Sequence, residues 1–334
     1  MDFPRPIPRY GDDVRATGTG RVVRRQPRCR QADSLALATL IATVPIAVLT
    51  FQFDPYTELF GGLVVRWGTL ALIAVIVTAL ILAGILARSG GLRADDVAFV
   101  AVGIVPGAVI GGRVGYLLLH ETYYAGAMDR LLDPAVGGLE LGLAVVGGFI
   151  SGAYVASLLG GTMGRWLHLA AAPALFVLGA GKLTMVLTGA GQGVPSAESW
   201  ATAYLPPGPW GSLLPALPSV PSQALEGVAT LAILAVLTVV LMVGAFGRRD
   251  GSLFFVAIGL WAVARALVST TWRDPAVTGG LNAAGLIAIA IAVTCAVALV
   301  LLTVRRHRTA GRPDPAAAGG RDVAWPDPEP PSQS

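Results

Sequence analysis

The sequence predicts an all-α integral membrane protein, a bundle of about eight transmembrane helices (seven core spans plus one extra N-terminal span) with both termini cytoplasmic. Three observations carry that expectation. The 334 residues are 54% hydrophobic and 13% charged, a balance that a water-soluble chain of this length would not present to solvent. Leu, Val, Ala and Ile recur in blocks of roughly twenty residues, the length that takes a helix across ~30 Å of hydrocarbon at ~1.5 Å per residue. Arginine alternates between loops: eighteen fall on one side of the predicted spans, while Arg66, Arg130 and Arg273 alone occupy the other.

The predicted spans are 34–52, 68–87, 97–119, 138–160, 167–189, 221–246, 252–271 and 280–304. Their length excludes a barrel, which needs short alternating strands. Eight arginines, Arg5 to Arg30, precede the first span, which is expected to stay as an anchor because no small-x-small cleavage site follows Thr50. Residues 1–33 and 309–334, rich in Pro, Gly, Arg and Asp, carry no apolar stripe and are expected to be disordered cytoplasmic segments. The bundle between them, 53–304, has no linker that would divide it. The spans are expected to make the chain a multi-pass membrane protein.

The net charge of +4 is spread along one membrane face and does not point to nucleic acid. Cys29 and Cys295 cannot form a disulfide framework, and His120, His168 and His307 are too scattered for a metal site, so neither metal nor cofactor is expected. The loop 190–222 contains seven prolines with Trp200, Tyr204 and Trp210 but no Lys or Arg, and its rings suit either the headgroup layer or a plain surface loop. Gly103, Gly107, Gly111 and Gly115 strip one stripe of the third span of side chains, and Gly147, Gly148 and Gly152 do the same in the fourth, which predicts close helix packing.

Ionisable groups in hydrocarbon cost roughly 2.5–3.5 kcal/mol each on insertion scales, so each needs a partner, a wet cavity or a short reach to the interface. Arg113, Glu140, Lys182, Glu226 and Arg265 are the five such residues, and the topology puts them in one layer. Structural pairing, of Arg113 with Glu140 for example, and outward snorkelling of Lys182 are the plain alternatives. As a cavity, two carboxylates and three cations would attract a phosphate group, which suggests an anionic phospholipid.

The run Gly111-Gly-Arg-Val-Gly-Tyr116 resembles the GGRxGY segment of prolipoprotein diacylglyceryl transferases. Phe53-Asp54-Pro55 with Arg66-Trp67-Gly68 is similar to the family's FDP and RWYG, and Glu140 to Gly152 resembles its EGGLSFHGGLIGG stretch. Gly179-Ala-Gly-Lys182 resembles GxGRxGN, Pro221-Ser-Gln223 with Glu226 resembles HPSQLYE, and Arg265 falls where the family has GxxR. The likeness covers roughly 53–304. It implies transfer of diacylglycerol from phosphatidylglycerol to the lipobox cysteine thiol of a lipoprotein precursor, with release of glycerol 1-phosphate. The implied partners are phosphatidylglycerol, the precursor's signal peptide and membrane lipids, with no cofactor, and the implied location is the plasma (inner) membrane of a bacterium. Carried onto this chain, the resemblance makes Arg113, Lys182 and Arg265 the phosphate-binding cations. In a divergent transferase without the family's histidine, Glu140 or Glu226 would do the proton transfer, and Tyr116, Gly147, Gly148, Gly189 and Gln223 would line the site.

The chain departs from the pattern at several of these places. Val146 stands where the family has a proposed basic histidine, Lys182 replaces an arginine, and Met185 an asparagine. Val220 and Ala224 replace the histidine and tyrosine of the HPSQLYE run, and Ser269 a glutamate. Valine cannot exchange a proton, and lysine loses the two-toothed grip of a guanidinium. Two readings therefore stand: a divergent transferase, and a catalytically silent relative that binds phosphatidylglycerol or prolipoprotein. A small-solute transporter is a third, disfavoured because no internal repeat is visible.

Overall fold

The computed structural model describes residues 48–121 and 137–310, all within the larger of the two compact units into which the chain divides, Ala47–Ser334. Among the described residues four short strands, β1 (Leu49–Phe51), β2 (Tyr56–Leu59), β3 (Leu63–Arg66) and β4 (Thr202–Tyr204), accompany seven long helices. The helices are α1 (Trp67–Ser89), α2 (Ala94–Leu119), α3 (Leu141–Leu158), α4 (Met163–Thr184), α5 (Ser222–Met242), α6 (Ser252–Ser269) and α7 (Ala283–Ala310). Among the described residues all seven are long and apolar enough to cross a membrane. Their outer faces carry exposed Leu, Ile and Val in quantity, Ile81, Ile110 and Val236 among them, as a lipid-facing surface does.

The seven core spans predicted from sequence match these helices to within a few residues at most ends. The predicted eighth, 34–52, lies largely outside the described residues, and its last part is not helical. Leu49–Phe51 form β1 and pair in parallel with Thr202–Tyr204 of β4, because the chain there meets a strand partner. The leader 1–33 lies outside the described residues. Of the predicted tail, the first two residues extend α7 and 311–334 lie outside.

Local chemistry sets several helix ends. Asp95 and Asp96 stand in the first turn of α2 and Arg88 in the last turn of α1, each charge opposing the helix dipole. Beyond α4 a 3-10 turn, Met185–Thr188, ends at Gly189, whose φ of 68° is left-handed and favours glycine. The glycine stripes meet as predicted: a β-carbon at Gly107 would collide with the carbonyl oxygen of Gly147, and one at Gly111 with that of Leu143. Backbone cannot yield as a side chain can. Gly111→Ala is expected to cost about 1–3 kcal/mol, whereas Gly84→Ala, which meets nothing within 4 Å, should be neutral. Denaturant titration of both variants in micelles checks the contrast, and equal stability would refute the close α2–α3 contact.

Helix α6 is the most buried of the seven and the centre of the bundle. Leu253, Phe254, Ala257, Ile258, Trp261 and Ala262 pack with Ala171 and Leu175 of α4, Leu237 of α5, and Ile291 and Cys295 of α7. At the arginine-rich pole, Asp250 in the α5–α6 turn accepts from the Ser252 hydroxyl at 2.8 Å and its amide at 3.1 Å, and is ion-paired with Arg306. Burial alone would raise its carboxyl, but the Ser252 hydrogen bonds and the Arg306 charge outweigh it and hold the carboxyl below its ordinary value. A lowered folded value gives stability that is present above the ordinary carboxylate range and lost as pH falls through it. Asp250→Asn should therefore lower the melting temperature slightly at pH 7, and the difference from the wild type should shrink as pH falls through and below the ordinary carboxylate range. An undiminished difference there would remove the ionic explanation.

Candidate functional site

Four of the five intramembrane ionisable residues meet at the opposite, arginine-poor pole. Glu140 is the N-cap of α3: its Oε1 accepts from Gly142 N–H at 2.7 Å and its Oε2 from Leu143 N–H at 2.6 Å. Its own amide donates to the Gly112 carbonyl of α2 at 2.8 Å. Arg265, one turn before the end of α6, donates through Nη2 to Glu140 Oε1 at 3.1 Å and through Nη1 to Glu226 Oε1 at 2.6 Å. Glu226 lies in the second turn of α5, and its other oxygen, Oε2, is 3.0 Å from Lys182 Nζ of α4. That approach is oblique, so Glu226 Oε2 has a charge partner but no aligned hydrogen-bond donor.

The Lys182, Glu226 and Arg265 side chains are 16%, 1% and 4% exposed. Two carboxylates and two cations in so little water balance one another's charge, and a partner removed would leave a charge buried alone. Trp272 completes the group: its ring centroid is 4.7 Å from the Arg265 guanidinium and 5.5 Å from Lys182 Nζ, positions that favour cation–π attraction. Lys182 thus turns inward and does not snorkel.

Arg113 sits on the turn of α2 whose Gly112 carbonyl caps Glu140, but its helical phase points away from the stripe that faces α3. It is half-buried. The predicted Arg113–Glu140 pair is replaced by Arg265–Glu140, since α6 brings a guanidinium directly to the α3 cap. The cationic excess expected of five residues becomes, in the four that meet, a balanced quartet.

The predicted lining divides in the same way. Gln223, buried on α5 one turn before Glu226, donates to the Tyr204 hydroxyl at 3.3 Å. Gly147 serves the α2 contact, and Gly148 packs on Ile104 and Ala108. Tyr116 stacks on His120 with ring centroids 4.1 Å apart, at the end of α2. Gly189 packs beneath Trp210 and Tyr204. Tyr204 is fully buried, stacked on Phe51 at 4.9 Å, and is no headgroup-layer ring, whereas Trp200 is exposed. Burial pushes the Tyr204 hydroxyl up to about 12 against the opposing Gln223 hydrogen bond, so it stays protonated at neutral pH. Val146 packs against the apolar cluster around Trp261.

The loops above the quartet are tied down. Arg273 donates through Nε to the Gly193 carbonyl at 2.7 Å and through Nη2 to Ser219 Oγ at 2.8 Å, and Ser222 Oγ lies 2.6 Å from Thr271 Oγ1. These contacts hold Trp272 in place. Below, an almost wholly apolar cavity of about 430 Å³ runs between α1, α2, α3 and α4, with α6 behind. Leu141, adjacent to Glu140, lines it, as do Phe149, Leu178, Phe254 and Ile258. Among the described residues no cluster of His, Cys, Asp and Glu could hold a metal ion.

Sequence reasoning missed Trp261, Trp272 and Arg273. Only Trp261 left a signal, since it precedes Arg265 by four residues and shares its helical face.

Helices long and apolar enough to cross a bilayer, gathered around a desolvated ion network, define a multi-pass membrane protein with an intramembrane polar site. More particularly, the chain belongs to the prolipoprotein diacylglyceryl transferase family, whose profile matches residues 56–301. It is similar to the phosphatidylglycerol–prolipoprotein diacylglyceryl transferase of Acaryochloris marina, with 31% identity over 29% of this chain and 36% of that protein. The enzyme of the same name from Symbiobacterium thermophilum is 33% identical over 30% of this chain and 38% of its own length. That of Geobacter sulfurreducens is 32% identical over 31% and 42%. The matched stretches span about two fifths of the length of these curated relatives.

Proposed function

We propose that this protein binds phosphatidylglycerol with its phosphate at Lys182 and Arg265 and transfers the diacylglyceryl group to the lipobox cysteine of a lipoprotein precursor. The observation that supports this most is the stacking of a buried ion quartet above an apolar cavity, an arrangement that complements an anionic head on acyl tails. On arrival of the phosphate, Lys182 and Arg265 turn part of their charge from Glu226 to the phosphate oxygens. Glu226, released, accepts the thiol proton. The sulfur attacks the diacylglycerol carbon bonded to the phosphate oxygen, a carbon–sulfur bond forms, and the carbon–oxygen bond breaks with its electron pair on the phosphate. Glycerol 1-phosphate leaves. Glu140, saturated by two backbone N–H groups and Arg265, positions the guanidinium and takes no proton in this scheme.

A second reading, lipid binding without turnover, draws support from Val146, an inert side chain packed in the apolar core where the family has histidine. One pair of measurements separates the two. Purified protein should retain phosphatidylglycerol over phosphatidylethanolamine, and a lipobox peptide incubated with it should gain the mass of one diacylglyceryl group. Retention without an adduct, while an orthodox family enzyme modifies the same peptide, selects the silent reading. Equal retention of both lipids refutes both. Val146→His with Lys182→Arg should then restore an adduct to an otherwise intact site.

A further inference from the structure

Two donors at the heart of the bundle have no partner among the described residues. Trp261 Nε1–H and Arg265 Nε–H are buried without an acceptor, in residues 0% and 3% exposed. Indole and guanidinium nitrogens only donate, so neither can be satisfied by a further donor. A buried donor left unmatched is costly, and native interiors seldom keep one without a reason. Here there are two, four residues apart on one face of α6, with the guanidinium carbon 5.8 Å from the Trp261 ring centroid.

Their place along that face is informative. Phe254, Ile258, Trp261 and Arg265 follow one another at steps of four, three and four residues, a single stripe. The first two line the apolar cavity. The last carries the ion quartet. The unmatched donors therefore stand where hydrocarbon gives way to charge, and in a diacyl phospholipid that level is occupied by ester carbonyl oxygens, which accept hydrogen bonds.

We infer that Trp261 Nε1–H and Arg265 Nε–H form a subsite for an ester carbonyl oxygen of the bound lipid, so that the protein distinguishes diacyl from dialkyl-ether lipids. The inference rests on the lipid reading above. Trp261 is a specificity residue and takes no part in bond making.

The test uses the full chain in micelles with three probes: diacyl phosphatidylglycerol, its dialkyl-ether analogue with the same head and chain length, and diacyl phosphatidylethanolamine. The ether lipid keeps the phosphate and the tails but lacks both carbonyls. Wild-type protein should retain the diacyl form about tenfold better than the ether, the worth of one or two such hydrogen bonds. In Trp261→Phe, which keeps an aromatic ring and loses the donor, that ratio should fall toward one while the preference for phosphatidylglycerol over phosphatidylethanolamine persists. If wild type retains both phosphatidylglycerols equally yet still rejects phosphatidylethanolamine, the donors serve an internal water, and this inference falls while the lipid reading survives. A ratio unchanged in Trp261→Phe removes the assignment to Trp261. If neither phosphatidylglycerol is preferred over phosphatidylethanolamine, the lipid reading fails and takes the inference with it. Should the variant not fold, the wild-type ratio alone still decides.

Discussion

Arg265→Ala is expected to destabilise the bundle by about 3–5 kcal/mol, the range for removing one partner of a buried ionic group. The reason lies in what is left behind. Glu226 loses its 2.6 Å donor and Glu140 its 3.1 Å donor, both in a region almost without water. The backbone amides of Gly142 and Leu143 still hold Glu140, so the larger share of the loss should fall on Glu226. It follows that the same substitution made in a Glu226→Gln background costs less, because the stranded charge has gone. Unfolding in denaturant, followed by circular dichroism in micelles, supplies the four corners of that cycle. Additive single effects would show that Arg265 and Glu226 are not coupled, and the quartet would lose its meaning as a unit.

The second large effect concerns chemistry. Glu226→Gln is expected to reduce diacylglyceryl adduct formation at least 100-fold, the lower end of what a positioned base contributes. Glutamine is nearly the same shape, so the α5 packing through Gln223 and Thr230 should persist. Lipid retention should persist with it, or rise, because Lys182 and Arg265 lose a competitor for their charge. Binding intact with transfer gone is the signature of a proton acceptor. Loss of both together would make Glu226 a structural residue, and unchanged transfer would send the search for a base elsewhere.

Much of the architecture was readable from the sequence because lipid imposes a long apolar period and arginine marks alternate loops. The glycine stripes of α2 and α3 were readable for a similar reason: a four-residue step on a helix has one geometric meaning. The site was readable only as a layer. Depth in the membrane follows from position along a span, and so Glu140, Lys182, Glu226 and Arg265 could be placed at one level. Which of them touch depends on the order of helices around the bundle, and neighbours in sequence are poor guides to that. Hence Arg113 and Glu140, on consecutive helices, looked like partners, while the carboxylate is bound by Arg265 from α6. The capping role of Glu140 was hidden too, since it requires the helix to begin at Leu141, a boundary the apolar run leaves soft. Trp272 comes from a loop with no periodicity at all, and its ring is placed by the anchorage of its neighbours Thr271 and Arg273.

The parallel pairing of β1 with β4 has a mechanical consequence. It splices the segment ahead of α1 into the long loop between α4 and α5, while Arg273 fastens that loop from the α6 side. Three stretches of backbone, remote along the chain, are laced into one roof over the charged pole. Such a roof resists being lifted from any single edge, because the long loop at its middle is held by contacts to the other two strips.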